Sequence, residues 1–294
     1  MEEQNTKKFK LLQSNVFIYS IKLLVSVLAI LFLISTVGSK ELIRSVSSFG
    51  IVSLLLAALI YLLSQWVSSY RLRRLLHTIS VSISALENFK LYLIGMSYNL
   101  FLPTGIGGDA YKFLILKNTY SAPQKSTLQA LLVDRLYGLM AIFLLLGGVA
   151  FVHIDLLPFY IHPVLVILIL PLIFGAGYLV FKKMFSLFHR SYWVAVMLSL
   201  VIQSIQVAMV CFIATMFGVK EPTLIAGVFL VSTLATTIPV FLGGVGAREL
   251  VFAYFAETLQ ISSSVAVSIA LIFSVCTIIN AIPGLFLDWF SKRK

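Results

Sequence analysis

The chain has 294 residues, 60% of them hydrophobic and 11% charged, against roughly 45–50% and about 25% in ordinary soluble domains. That balance excludes a water-soluble enzyme or nucleic-acid-binding domain and leaves an all-α polytopic membrane protein. The net charge of +11 then reflects basic cytoplasmic loops, with no nucleic-acid partner implied. Cys211 and Cys276 lie inside apolar runs, and His77, His153, His162 and His189 are scattered. Neither set supplies a disulfide framework, a metal site or a cofactor site.

A transmembrane helix needs about 20 mostly apolar residues. In chain order, runs of that kind fall near 16–37, 48–67, 126–152, 163–181, 192–217 and 262–289. The first follows Lys7, Lys8 and Lys10 but is too long for a signal h-region and has no small-residue cleavage site after it, so it reads as an uncleaved helix. Between the second and third spans, residues 68–90 carry Arg71, Arg73 and Arg74 beside Leu72, Leu75, Leu76 and Ile79. That pattern predicts a short interfacial helix on an anionic leaflet.

Two further apolar regions, 88–120 and 223–259, are each broken in the middle by Pro and clustered Gly. They either cross fully, giving eight spans, or enter and return as re-entrant hairpins. With hairpins and a cytoplasmic N-terminus, Lys117, Lys125, Lys182, Lys183 and Arg190 all fall on the cytoplasmic side, leaving Lys40, Arg44 and Lys220 outside. Eight full spans move those five cations outward, which the positive-inside rule disfavours. The expectation is therefore eight hydrophobic segments: six full spans plus two re-entrant broken helices. Both termini are then cytoplasmic, with Lys292, Arg293 and Lys294 following the last span. Residues 1–294 form a single membrane domain of two halves, 1–152 and 153–294, the second inserted upside down. Such inverted-topology repeats are common in secondary transporters.

The broken regions share a motif. One reads Pro103-Thr-Gly105-Ile-Gly107-Gly108-Asp109-Ala-Tyr-Lys112 and the other Pro239-Val-Phe-Leu-Gly243-Gly244-Val-Gly-Ala-Arg248-Glu249. Both fit P-x-x-x-G-G-x-x-x-[KR]. Pro103 and Pro239 break the helices, and broken backbone at membrane depth is tolerated only inside protein or beside a wet cavity. Lys112 and Arg248 are expected one turn into the restarting helices. There, free N–H groups and the positive end of the dipole favour an anion. No Gly-Lys-Ser/Thr follows the first glycines, so they are not a nucleotide loop. Ordinary kinks in two spanning helices are the plainer explanation of either region alone, and the repetition with a matching cation weighs against it.

Charges at membrane depth are expensive and mark candidate sites. Asp109, Asp134, Arg135 and Glu249 are expected to compensate or couple charge. Because adjacent helical residues face apart, each acid is expected to neutralise a base across the bundle. A structural salt bridge near the cytoplasmic interface is the bland alternative for Asp134 and Arg135. Lys22 reads as a snorkelling side chain and Asp288 as an interfacial end residue. Asn99, Gln203, Gln206 and Asn280 suit either a cavity lining or interhelical hydrogen bonds.

These residues resemble a known family. Asn99 through Lys112 is similar to its N-x-x-L-P-[GT]-x-x-G-[GE] region followed by a basic residue. Asp134-Arg135-Leu-Tyr-Gly138 resembles its acidic-Arg-x-x-Gly element, and Ile238 through Glu249 its P-x-x-x-G-G-x-G-x-x-E block. The family is the flippase-like membrane region of lysylphosphatidylglycerol synthases. Asp109 and Asp134 stand where Glu is more usual, and both keep the charge. The resemblance implies a role in moving an aminoacylated phospholipid between leaflets. It also implies that aminoacyl transfer belongs to a separate soluble domain, which these residues do not include, so the chain itself is not expected to be an enzyme.

The leading expectation is a lipid translocator in the cell membrane, with a membrane lipid as partner. It would move an anionic or aminoacylated phospholipid, or a polyprenyl-linked lipid. Lys112, Arg248 and the Gly107-Gly108 and Gly243-Gly244 pairs would bind the headgroup. The alternatives are a membrane subunit that scaffolds a separate lipid-modifying enzyme, and an intramembrane enzyme using Glu249 or Asp109 as base.

Overall fold

A computed structural model of the chain describes residues 39–101, 107–153, 163–237 and 246–291. They form α1 (Ser39–Ser48), α2 (Ile51–Thr78), α3 (Ala85–Phe101), α4 (Gly107–Tyr120), α5 (Gln124–Val152), α6 (Pro163–Met184), α7 (Tyr192–Met216), α8 (Pro222–Thr237), α9 (Ala247–Tyr254) and α10 (Ser263–Ser291). A short 3-10 turn, His189–Ser191, leads into α7. The membrane expectation holds at the level of the helices. Ile51–Thr78, Gln124–Val152, His189–Met216 and Ser263–Trp289 are each long and apolar enough to cross. The expected span at 163–181 coincides with α6, and that at 16–37 lies outside the described residues, with Lys22.

The stretch 68–78 is not a separate interfacial helix. It continues α2, which runs unbroken for 28 residues. Ser64, Ser68, Arg71 and Leu75 recur at helical spacing and are all buried, so the face that looked interfacial packs inward. Burying Arg71 is tolerated because a carboxylate and a hydroxyl meet it inside. The chain turns after Val81, and Ser84 starts α3 with a capping box. The Ser84 hydroxyl accepts from the Glu87 N–H, and a Glu87 carboxylate oxygen accepts from the Ser84 N–H, both at 3.2 Å. These bonds hold the Glu87 carboxyl below the usual carboxylate range.

Both broken regions fold back on themselves. In α3–α4, Glu87 at the start of one helix interacts with Tyr120 at the end of the other. At the opposite end the Gly108 N–H donates to Asn99 Oδ1 at 2.8 Å. There Gly108 also meets Gly95 backbone to backbone, and a Cβ on Gly108 would collide with the Gly95 carbonyl. The second hairpin, α8–α9, is joined by Arg248, which reaches back to Ser232 and Thr233. The tips, including Pro103, Gly105, Pro239, Gly243 and Gly244, lie outside the described residues.

Packing around the hairpins pairs up. The α3 helix lies on α10 as α8 lies on α5, and α2 touches α10 as α7 touches α5. The α2 and α7 helices pack on each other along the centre. One apolar core gathers Phe229, Phe252, Phe273 and Met209 around α8–α9. The other gathers Leu72, Leu116, Tyr137 and Tyr192 beside α3–α4.

Candidate functional site

The two restarting helices are built differently. The α4 helix begins at the glycine pair itself, because the Asn99 side chain supplies the acceptor for Gly108. The α9 helix begins three residues after its pair, because Gly246 has φ 93° and cannot be helical. The acids therefore coincide, Asp109 and Glu249 each being the third residue of its helix. Lys112 is the sixth and Arg248 the second, so the two cations sit one turn apart in register, not at the same point of the first turn. Acids in a first turn are favoured by the helix dipole.

Asp109 is shared by two bases. Lys112 Nζ lies 3.3 Å from Asp109 Oδ1, and Arg135 Nε donates to Asp109 Oδ2. The ammonium of Lys112 also stands 3.8 Å from the ring centre of Tyr92 on α3, a favourable cation–π distance. Next to this cluster, Arg71 Nε donates to Asp134 Oδ1 at 2.7 Å, and Arg71 Nη1 donates to Ser199 Oγ at 2.6 Å. Asp134 and Arg135 thus pair with bases and acids on other helices, as their adjacency required. Arg71 is the residue the sequence reading missed. Its signal was the serine spacing that leads to it along α2.

Arg248 has a different shell. Its Nη1 donates to Ser232 Oγ and Thr233 Oγ1, both at 3.2 Å. The guanidinium carbon lies 4.3 Å from the Phe273 ring centre and 4.9 Å from that of Phe229. The anionic partner expected for it is not there: none of the ion pairs among the described residues involves Arg248. Glu249, its sequence neighbour, is turned to structural work. Its Oε2 accepts from the Gly246 N–H at 2.8 Å and its Oε1 from the Ser274 hydroxyl at 2.7 Å. The carboxylate thereby fixes the start of α9 to α10. Hydroxyls and ring faces solvate the guanidinium without neutralising it, and the Glu249 carboxylate acts on it through space, without a direct ion pair.

Two phenols stand near the cations. The Tyr61 hydroxyl on α2 lies within electrostatic reach of Arg248 and of Tyr92. Tyr92 in turn interacts with Lys112, Asp134, Arg71 and Asp109. Asp288, expected as a mere end residue, accepts from Tyr111 at 2.5 Å and Tyr98 at 3.0 Å and so ties α3 and α4 to α10. Asn99, Gln206 and Asn280 serve as interhelical hydrogen-bond donors or acceptors. Gln203 is buried on α7.

Glu249→Gln removes one of two acceptor oxygens and is expected to lower stability by about 1–3 kcal/mol. Thermal melting in detergent checks this. Transfer rate per folded protein, if lipid transfer is assayed, is expected to change far less than with Arg248→Gln, because Glu249 bonds the helix start and Ser274 and acts on the Arg248 guanidinium only through space.

No curated protein and no solved structure shows significant similarity to the chain. A sequence profile described as the lysylphosphatidylglycerol synthase TM region matches residues 19–284, a range that includes both hairpins, Arg71, Asp109, Lys112, Asp134, Arg135, Arg248 and Glu249. The chain belongs to the family of lysylphosphatidylglycerol synthase transmembrane regions.

Proposed function

We propose that the protein is a lipid translocator that carries the headgroup of an anionic or aminoacylated phospholipid, or of a polyprenyl-linked lipid, between leaflets without changing it. The observation that carries this reading is Arg248, a buried cation whose hydrogen-bond and ring contacts among the described residues are two hydroxyls and two ring faces, with no direct ion pair. A charge at membrane depth costs at least about 2.5–3.5 kcal/mol, and an arriving phosphate offsets that cost. Membership of a membrane lipid family supports the same reading.

In this account the α3–α4 and α8–α9 hairpins are re-entrant, entering and leaving on one face, and six helices span the bilayer. Residues 1–152 and 153–294 are inverted repeats. The paired packing of α3 on α10 with α8 on α5, around the central α2–α7 contact, supports that assignment. Lys112 serves the headgroup from one hairpin and Arg248 from the other. Both termini and the 182–190 loop are cytoplasmic, at the cell membrane. A single cysteine at Ser186, in a chain lacking Cys211 and Cys276, is then expected to label only from the cytoplasmic side. Labelling from outside returns the eight-span count.

The function itself is tested in reconstituted vesicles with lipid carrying a labelled headgroup in one leaflet. The label is expected to redistribute while the lipid's mass stays constant. A changed mass assigns chemistry instead of transfer.

A further inference from the structure

Inside the bundle the chain answers its own carboxylates. Asp109 lies against two bases, Lys112 and Arg135. Asp134 accepts from Arg71, and Glu249 from the Gly246 N–H and the Ser274 hydroxyl. Asp288 accepts from Tyr98 and Tyr111. The other acids whose side chains are described, Glu87, Glu221 and Glu257, are exposed. Ring faces are the second kind of group that receives a cation inside a protein. At the two hairpins they too are filled from within: Tyr92 by the Lys112 ammonium, and Phe229 and Phe273 by the Arg248 guanidinium.

Lys112 shows how such a position is built. It is only 5% exposed, and its stem lies across α3 at Gly95. A Cβ on Gly95 would come within 2.7 Å of the Lys112 Cε, so the missing side chain makes room for the lysine. The ammonium ends 3.8 Å from the Tyr92 ring centre and 3.3 Å from Asp109 Oδ1. A ring face and a carboxylate together are what would recognise a substrate's amine. Here the chain's own amine occupies them. Arg248 presents the opposite case, a buried cation with no direct ion pair among the described residues.

We infer that the protein selects lipids whose headgroup carries phosphate and no ammonium, and that Lys112 is the residue that excludes aminoacylated headgroups. The inference rests on the proposed function for one point, that Arg248 and Lys112 serve the same headgroup. A lysyl group esterified to phosphatidylglycerol brings two ammonium groups along with the phosphate. With the phosphate on Arg248, those groups meet resident cations and find the carboxylates and ring faces already taken. Burying a charge without a partner is costly, and that cost falls on the aminoacylated lipid alone. Phosphatidylglycerol and a polyprenyl phosphate carry no such group. Lys112 attracts the phosphate and repels the amine, so it governs the ratio between the two classes of lipid.

Native mass spectrometry of the detergent-solubilised full chain tests it. The probes are phosphatidylglycerol, lysyl-phosphatidylglycerol with the same acyl chains, and a polyprenyl phosphate. The wild type is expected to retain an amine-free lipid over the lysyl lipid by about ten-fold or more, the effect of one charge-assisted contact. Which of the two amine-free lipids it retains identifies the source of the phosphate. Lys112→Met keeps the stem and leaves Asp109 paired with Arg135. It opens Tyr92 and Asp109 to the lysyl amine, and is expected to cut the preference about ten-fold. Lys183→Met removes the same charge from an exposed position at the end of α6 and is expected to leave the preference unchanged. Equal or better retention of the lysyl lipid by the wild type overturns the inference, whether or not the variants fold. So does an unaltered preference in folded Lys112→Met, or an equal shift in both variants, which would assign the preference to bulk charge. Retention is read without any transfer step. Preference for the amine-free lipid with no leaflet transfer of any probe leaves the selection and removes the translocator. Transfer of the lysyl lipid as fast as phosphatidylglycerol does the reverse.

Discussion

Arg248→Gln is expected to reduce headgroup transfer roughly 10- to 150-fold while leaving the protein inserted and folded. A hydrogen bond to a charged group is worth about 1.5–3 kcal/mol, and each 1.4 kcal/mol is about ten-fold. The folded state should tolerate the change, because Gln keeps a donor for Ser232 and Thr233, and no carboxylate among the described residues is left unpaired by it. Removing one partner of a buried ion pair would behave differently, since the orphaned charge then destabilises the fold by about 3–5 kcal/mol. Arg248→Lys is expected to restore transfer in part. Lysine supplies the charge but lacks the planar fork that grips a phosphate with two bonds. Rates in reconstituted vesicles, normalised to folded protein, check both. Wild-type transfer by Arg248→Gln reduces Arg248 to a solvated structural cation.

Gly108→Ala is expected to be strongly damaging, costing about 3 kcal/mol of stability. The added carbon meets the Gly95 carbonyl and, at 2.8 Å, the Asn99 amide. Neither can rotate away without separating α3 from α4, and Asn99 is the side chain that caps Gly108. Gly148→Ala on α5 is the matched control, since nothing lies within 4 Å of its new carbon. Alanine there is expected to be neutral or slightly stabilising, because Gly is the poorer helix former by about 1 kcal/mol. Melting curves of the two variants in detergent should therefore separate widely. Similar melting temperatures would mean that the α3–α4 hairpin is not closed at Gly95 and Gly108.

That the helices ending at Phe101 and Thr237 are followed by new ones from Gly107 and Ala247 was legible, because Pro and clustered Gly interrupt an apolar run in each region. The cross-bundle pairing of Asp134 and Arg135 was legible for a similar reason: neighbours on one helix point apart, so their partners must come from elsewhere. Arg71 was not. Three arginines beside leucines look interfacial in isolation, and only the meeting of α2, α5 and α7 at Asp134 and Ser199 shows that one of them is buried. Arg248 failed in the opposite sense. An isolated cation at depth calls for an anion, yet Phe229, Phe273, Ser232 and Thr233 come together around it from two other helices. Its sequence neighbour Glu249 is consumed by the start of its own helix, a detail set by the left-handed Gly246 that the motif alone does not specify. Asp288 was hidden likewise, because its tyrosine partners lie more than 170 residues earlier in the chain.

The most direct measurement is the leaflet distribution of a headgroup-labelled phospholipid over time in vesicles containing the purified chain alone. The account predicts that label placed in one leaflet becomes accessible from the other, chemically unchanged, with wild type and with Gly148→Ala, and that Arg248→Gln vesicles lag far behind. Label that stays in its original leaflet with wild-type protein, as it does in protein-free vesicles, contradicts it.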